Sequence, residues 1–261
     1  MKVREIIERL EQEYPRQMAL SWDNPGLQVG RMEQEAEKAV VALDATDEVI
    51  QQCVRWEADL LVTHHPLLMS GIRQINSENF QGRKILALAE NQIAHYAMHT
   101  NYDVTKMKEL AGEALKLSGQ EILEETGTLE DGTPCGVGCV GNLPYKMTAK
   151  ECCEYVKKAF ELDHIRLFGS QDVMVERIAV SPGSGKSMIA PALGCGAQML
   201  VTGDIGHHDG LDAAEQGMLI ADAGHYGTEH LFIRQVAAYL REAFPQLEVR
   251  EIETGGPFTV F

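Results

Sequence analysis

Apolar residues follow two different spacings along the chain, and these spacings predict helices and strands in alternation. Residues 1–15 (MKVREIIERLEQEYP) predict an amphipathic, charged helix that ends near Pro15. A turn-rich loop, residues 21–30 (SWDNPGLQVG), is expected next because Pro and Gly interrupt it. Buried strands are then predicted at 39–45 (AVVALDA), 59–65 (DLLVTHH) and 93–100 (IAHYAMHT).

Helices are expected between these strands. Thr46 is a suitable N-cap for a helix over 47–58, and another helix is expected around 84–91. The polar, acidic stretch from Leu117 to Pro134 is interpreted as a crossing between domains.

The second half of the chain repeats the alternation. Thr148 and Glu151 have the spacing of a capping box, so they predict a helix over 148–162. The remaining predicted elements are strands at 136–143, 164–169, 177–183, 198–204 and 218–224, a helix after each of the strands at 177–183 and 198–204, and a final helix at 229–244.

This alternation is typical of the α/β class, and we predict two α/β domains with mostly parallel or mixed sheets flanked by helices. The first domain is expected at 1–126, completed by 230–261, and the second at 127–229. The segment ADLLVTHH (58–65) is similar to AQMLVTGD (197–204). Either both halves share one βαβ plan or two buried strands are alike by chance. A shared plan would place Gly203 and Asp204 where the first half has His64 and His65.

Composition excludes several classes of function. The net charge is −16 without a cluster of Lys and Arg, so neither a nucleic-acid nor a membrane partner is expected. No apolar run reaches the roughly 18 residues of a membrane span, and the first helix does not have the pattern of a signal peptide; we expect a cytoplasmic protein. The six cysteines form no CxxC pair, so reduced thiols are expected, with Cys135 and Cys139 as packing residues rather than metal ligands.

Three apolar segments end in side chains that can bind a metal ion. The candidate ligands are His64, His65, Asp103, His225 and Glu229. Because the carboxyl ends of parallel strands face one crevice, we expect these groups to meet in a crevice between the domains. Imidazole and carboxylate together suit Zn, Fe, Mn, Co or Ni. Five such groups exceed the need of one ion, so we predict two divalent ions, with Asp103 or Glu229 as the bridging ligand.

Local geometry limits this prediction. His64 and His65 would point to opposite faces of a strand, so both can serve one site only if the chain turns at Pro66. The last helix is expected to begin only near Thr228, which would place His225 at a strand end and Glu229 in the first helical turn.

Other residues are expected behind the ligands or against a substrate. They are His99, Asp204, His208 and Lys186, while the role of His207 stays open. Residues 181–187 (SPGSGKS) lack the glycine that a phosphate loop requires, since Val180 occupies its position. Either a turn that holds an anion with Lys186 or a simple tight turn fits this segment.

The segments WDNPGLQVG, VTHHPL, HTNYD, TGDIGHHD and GHYGTE occur in this order, and with them the chain resembles the NIF-three-like family, known also as GTP cyclohydrolase I type-two-like or dinuclear metal-centre proteins. The resemblance covers nearly the whole chain. It implies a toroidal homohexamer of two-domain subunits with a two-metal site that faces the inner cavity, and it implies His64, His65, Asp103, His225 and Glu229 as ligands. Many relatives have a KYHD-like form where this chain has Gly206, His207, His208 and Asp209.

The function that follows is a metal-dependent hydrolase that acts on a small molecule, with a nucleotide such as GTP implied by the resemblance. A two-metal phosphoesterase is an enzymatic alternative. A non-catalytic metal-binding or regulatory oligomer is the alternative from another class. The catalytic residues are not predicted.

Overall fold

The computed structural model describes residues 1–129 and 131–260. The chain forms two compact units. Unit 1 consists of Met1–Tyr102 and Phe232–Thr254, and unit 2 consists of Asp103–Leu231 and the residues from Gly255 onwards. Each unit has its own sheet and its own apolar core. Among the residues described, no helix has both the length and the apolar character required to cross a membrane.

Helices and strands alternate along most of the chain. The helices are α1 (Val3–Glu13), α2 (Asp47–Trp56), α3 (Phe80–Glu90), α4 (Thr100–Tyr102), α5 (Lys108–Ala114), α6 (Ala149–Ala159), α7 (Ile189–Gly194), α8 (His207–Glu215), α9 (His225–Glu229) and α10 (Leu231–Ala243). The strands are β1 (Gly26–Val29), β2 (Lys38–Ala42), β3 (Leu60–Thr63), β4 (Ala94–Ala97), β5 (Ser118–Thr128), β6 (Pro134–Thr148), β7 (Arg166–Phe168), β8 (Met174–Ser184), β9 (Met199–Gly203), β10 (Leu219–Asp222) and β11 (Glu248–Ile252). Short 3₁₀ turns cover Arg16–Met18 and Lys186–Met188, and Asp103–Met107 is π-helical.

The sheet of unit 1 has the strand order β1-β4-β3-β2-β11. β11, β2, β3 and β4 run parallel, and β1 pairs with β4 in the opposite direction. Every residue of β3 and β4 is buried, as expected for parallel strands covered on both faces. Thr46 caps α2 by accepting a hydrogen bond from the amide of Val49 at 3.1 Å, so the predicted N-cap is confirmed.

The sheet of unit 2 has the order β5-β6-β8-β9-β10-β7. β8, β9 and β10 are parallel, while β5, β6 and β7 join the sheet antiparallel to their neighbours. One core includes Cys152 and Val156 of α6 and Phe160 directly after it, and another includes Ala192 of α7 and Ala213 of α8. The predicted α/β class, with mixed sheets flanked by helices, is confirmed.

Both sheets contain the same four-strand plan. The order β1-β4-β3-β2 in unit 1 corresponds to β7-β10-β9-β8 in unit 2, with three parallel strands and one antiparallel strand in each. Thr63 pairs in register with the last residue of β4, as Thr202 does with that of β10. The shared plan is therefore confirmed, and Gly203 and Asp204 occupy the positions of His64 and His65.

Three sequence-based expectations differ from the structure. Residues 26–29 of the expected loop form strand β1, and residues 118–128 of the expected crossing form strand β5, which pairs with β6 inside unit 2. The chain passes between the units after Tyr102, so the expected domain boundary at residue 126 falls within β5. β5 and β11 expose most of their side chains, and this weakens the apolar signal on which the strand predictions depend.

Candidate metal centre

Three histidines form one group at the carboxyl end of the unit 1 sheet. His64 and His65 follow β3, and His99 follows β4. We call His64, His65 and His99 the histidine group. Their ring centroids lie 5.0 to 5.5 Å apart, and one ring nitrogen from each lies within 4.8 Å of the others. The group therefore offers three imidazole nitrogens to one small volume.

Hydrogen bonds fix the orientation of each ring in this group. The Nδ1 atom of His64 lies 2.8 Å from the carbonyl oxygen of Met98, and a carbonyl oxygen can only accept. The proton of neutral His64 is therefore on Nδ1, and the lone pair is on Nε2. His65 Nδ1 lies 2.8 Å from Asp44 Oδ1, and His99 Nδ1 lies 2.7 Å from Asp23 Oδ1. Such acceptors behind Nδ1 are typical of metal-binding histidines.

Asp23 is the more buried of the two carboxylates that support this group. Its side chain is fully buried, and it also accepts hydrogen bonds from the amide and the hydroxyl of Thr100. Burial alone would raise the pKa of Asp23, but the hydrogen bonds from His99 and Thr100 outweigh burial and lower it to about 2. Asp23 therefore stays ionised and holds His99 in one orientation.

A buried chain of hydrogen bonds supports His65 from its backbone side. The hydroxyl of Thr63 donates to the carbonyl oxygen of His65 at 2.7 Å. Since its only proton is used there, the same hydroxyl accepts from Nε2 of His95 at 2.8 Å. Burial, and to a lesser extent the charge of Lys84, lower the pKa of His95 to about 3, so this ring stays neutral.

In unit 2 a second group consists of Asp103, His225 and Glu229, which we call the acidic group. His225 and Glu229 are both on α9, whose first residue is His225, so the expectation that the helix begins near Thr228 is wrong. The four-residue spacing places them on one helix face, with Nε2 of His225 3.1 Å from Oε2 of Glu229. Asp103 starts the π-helical segment, and its carboxylate lies within 4.8 Å of that of Glu229.

Asp204 orients His225 in the way that Asp44 orients His65. Oδ2 of Asp204 lies 2.7 Å from Nδ1 of His225. Asp204 has a positive φ of 59°, a conformation uncommon outside glycine, so the fold holds this residue against a local conformational cost. Burial lowers the pKa of His225, but the hydrogen bonds and charges of Glu229 and Asp204 outweigh it and raise the pKa to about 9.

Glycine permits the close packing around the acidic group. A Cβ atom on Gly183 would lie 2.2 Å from Oε1 of Glu229, and one on Gly203 would lie 2.5 Å from the amide nitrogen of His225. The end of β8 and the end of β9 can therefore approach α9 only because these two positions lack a side chain.

The other candidate residues lie outside both groups. Lys186 is exposed and pairs with Asp209 at 2.9 Å, and the amide of Gly185 donates to the carbonyl oxygen of Gly203. His207 and His208 are exposed in the first turn of α8. Cys139 is buried, which raises the pKa of its thiol to about 12, and Cys135 is buried as well. Within the described part of the chain, neither cysteine belongs to a cluster that could hold a metal ion.

Sequence reasoning missed two residues and placed a third differently. Asp23 and Asp44 were not candidates, although Asp44 follows strand β2 much as His64 follows β3. His99 was expected behind the ligands, but its ring lies beside the other two. The signal that could have identified the carboxylates is their position in loops at the same sheet edge.

Comparison with known proteins agrees with this architecture. The family model of DUF34/NIF3 (NGG1p interacting factor 3) matches residues 1–256. The chain belongs to the DUF34/NIF3 family. Two relatives named GTP cyclohydrolase 1 type 2 homolog come from Clostridium perfringens, 32% identical over 93% of this chain and 92% of the relative, and from Methanocaldococcus jannaschii, 33% identical over 92% and 95%.

Solved structures of other proteins share the fold. A Bacillus cereus protein related to NIF3 superposes with a TM-score of 0.94 at 24% identity, and the match covers 100% of this chain and 99% of that protein. A structure described as reduced HcgD from Methanocaldococcus jannaschii gives a TM-score of 0.83 at 31% identity, with 97% and 98% covered. The resemblance to the family is therefore confirmed.

The donors of this DUF34/NIF3 chain suit a divalent metal ion. Each of the three histidines has an oxygen acceptor at Nδ1, so each can present Nε2 as a lone pair in its neutral form. In unit 2, Glu229 is only 3% exposed and has His225 as its charged partner, so this group combines a carboxylate with an imidazole. Imidazole with carboxylate is the donor set of Zn, Fe, Mn, Co and Ni sites.

Proposed function

We propose that this protein is a dinuclear metal-dependent hydrolase that acts on a nucleotide, in the manner that the name GTP cyclohydrolase 1 type 2 homolog suggests for its relatives. The proposed ligands are His64, His65, Asp103, His225 and Glu229, which hold two divalent ions per chain. The observation that carries the proposal is the hydrogen bond from Nδ1 of His64 to the carbonyl oxygen of Met98, because it assigns the lone pair to Nε2 in a fully buried ring.

Divalent ions bound there would act as Lewis acids that polarise a substrate oxygen and stabilise the charge that develops on it. The residues of the chain have separate tasks. Asp44 and Asp23 keep His65 and His99 in the tautomer that presents Nε2. Asp204 holds His225 from behind, and the proton that His225 carries in the metal-free chain lies on the side of Glu229. His225 must therefore lose the proton at Nε2 before this nitrogen can bind a metal ion.

Metal content tests the proposed ligands directly. Protein expressed in medium that contains Mn, Fe and Zn should hold close to two ions per chain by elemental analysis. His64→Ala and Glu229→Ala should each reduce this content strongly, because each removes a proposed ligand. His164→Ala is the matched control, since His164 is exposed and lies outside both groups. Well under one ion per chain in the unmodified protein would contradict the proposal.

Turnover tests the hydrolase. The metal-loaded protein should hydrolyse a nucleotide in a panel that contains GTP and simple phosphoesters, and His64→Ala should abolish this activity while His164→Ala retains it. Cleavage of phosphoesters alone would favour the phosphoesterase. Full metal content without turnover across the panel would favour a non-catalytic metal-binding protein.

We further propose a homohexamer, which is supported by the family resemblance. Sedimentation velocity at several protein concentrations tests it. A mass of one or two chains throughout would contradict it.

A further inference from the structure

We infer that a cavity in unit 1, next to the histidine group, binds the planar nitrogen heterocycle of the substrate. The cavity has a volume of about 600 Å³, which is in the usual range for small-molecule sites. Its lining includes Trp22, Gln28, Leu68, Met69, Ile72 and Ile75, and we call it the Trp22 cavity. The identity of the ligand as a nucleotide base rests on the proposed function.

Strand directions place the Trp22 cavity at the same sheet edge as the histidine group. Gly26 of β1 pairs with Ala97 of β4, and β1 runs antiparallel to β4, so the loop before β1 lies at the carboxyl end of β4. The loop after β3 leaves from the same edge, since β3 and β4 are parallel. Ligands of parallel sheets bind at this edge.

A direct contact connects the cavity with the histidine group. The ring centroid of Trp22 lies 5.8 Å from that of His99, and the two rings meet edge to face at 78°. The next residue, Asp23, is the carboxylate that holds Nδ1 of His99. A ring stacked on Trp22 would therefore lie beside His99, whose own ring lies next to the proposed ligands His64 and His65.

The exposed side chains of the cavity favour a flat, apolar ligand. Trp22 is 59% exposed, Ile75 is 56% exposed and Met69 is 45% exposed. Large apolar side chains clustered at a surface commonly mark a binding site. Aromatic side chains such as tryptophan bind nucleobases by stacking, and they do so with little dependence on which base is present.

The same lining argues for the base rather than the phosphates. Among the described residues that line the cavity there is no lysine or arginine, and Asp23 contributes a negative charge. A phosphate group would therefore meet no positive partner there. The neutral ring of a nucleotide has no such requirement.

Hydrogen bonds between the two loops keep the cavity formed. The side-chain amide of Asn24 donates to the carbonyl oxygen of Leu68, and the amide of Leu68 donates to Oε1 of Gln28 at 3.2 Å. Gln28 also donates to the carbonyl oxygen of Asn24 at 2.8 Å. A site organised before binding loses less conformational freedom when the ligand arrives.

Tryptophan fluorescence tests the inference. The chain has two tryptophans, and Trp56 lies on α2 with Arg250 4.2 Å above its ring. Trp56→Phe keeps a ring under Arg250 and leaves Trp22 as the sole reporter. In this metal-loaded variant, guanosine and GTP should quench the emission with saturation, whereas inorganic triphosphate should not. Adding Ile75→Ser to this variant should weaken guanosine binding. Trp22→Ala removes the reporter, so its guanosine binding is measured by equilibrium dialysis and should be about tenfold weaker.

The outcomes separate this inference from the proposed function. Saturable binding of guanosine without turnover of any nucleotide would leave the cavity assigned and contradict the hydrolase. Turnover whose KM is unchanged in both Trp22→Ala and Ile75→Ser would support the hydrolase and contradict the assignment of the cavity. Metal content should match the unmodified protein in both variants, because neither Trp22 nor Ile75 is a proposed metal ligand. Absence of quenching together with dissociation of the oligomer in Trp22→Ala would identify the surface as a subunit contact and overturn the inference.

Discussion

At the scale of single residues, the candidate site depends on what lies behind each histidine. His64, His65 and His99 each have an oxygen acceptor at Nδ1, and His225 has Asp204 in the same place. The sequence could suggest the histidines, because they follow buried strands. It could not suggest Asp23 for His99, since 76 residues separate the two. Such a pairing depends on which loops meet at a sheet edge, and local spacing carries no information on that.

The support behind His65 leads to a prediction for Thr63. Replacing Thr63 by Val removes the hydroxyl that joins His95 to the carbonyl oxygen of His65, so the orientation of His65 is less restrained. We expect metal affinity to fall about tenfold, as for other groups behind metal ligands. A metal titration against a competing chelator measures this. Thr63→Ser retains the hydroxyl and should bind metal almost as the unmodified protein does; equal affinity in the Val and Ser variants would contradict the role.

The proton on His225 leads to a prediction about pH. The pKa of His225 is raised to about 9 in the metal-free chain, so the ring is protonated at pH 7 and must lose its proton before Nε2 can bind a metal. Apparent metal affinity should therefore rise with pH and level off near pH 9. Calorimetric titrations at pH 7 in two buffers of different ionisation enthalpy should reveal proton release on binding. Asp204→Asn removes one charge that raises the pKa of His225, so this variant should release fewer protons on metal binding. A metal affinity that does not depend on pH between 7 and 9 would contradict the prediction.

At the scale of helices and strands, the apolar signal decided which elements could be predicted. The fully buried strands β3, β4, β9 and β10 were expected from continuous apolar runs and are present. The capping box at Thr148 also gave a correct start for α6. β1, β5 and β11 were missed because each exposes part or most of its surface, and only its pairing with another strand defines it.

The packing of β8 against α9 leads to a prediction for Gly183. Gly183→Ala would place a Cβ atom 2.2 Å from Oε1 of Glu229, and the φ of +74° adds backbone strain. We expect a lower midpoint of thermal unfolding and reduced metal content, because Glu229 has to move. Gly217→Ala is the matched control, since Gly217 has a similar φ of +84° with nothing within 4 Å of the Cβ position. Gly217→Ala should lose only the free energy of unfolding that backbone strain costs, roughly 1 kcal/mol. Equal behaviour of the two variants would show that contact with Glu229 is unimportant.

At the scale of the whole molecule, one four-strand plan occurs twice and carries different side chains at its carboxyl edge. In unit 1 the positions after the central strand are His64 and His65, and in unit 2 they are Gly203 and Asp204. The repeat could be suspected from the similarity of residues 58–65 and 197–204. The extent of the repeat could not be predicted from the sequence, because the antiparallel strands β1 and β7 share no evident sequence pattern.

The net charge of −16 also acts on the whole molecule, and it leads to the last prediction. A metal-free chain should repel the triphosphate of GTP, so guanosine should bind more tightly than GTP although both carry the same base. Salt screens charges beyond roughly 10 Å at 0.1 M, so added salt should strengthen GTP binding and leave guanosine nearly unchanged. Loading the protein with Mn should also favour GTP, because cations offset the repulsion. Equilibrium dialysis with both ligands, at low and high salt and with and without Mn, measures these effects. GTP binding that weakens with salt in the metal-free chain would mean that a local cationic site, rather than the overall charge, governs how the nucleotide binds.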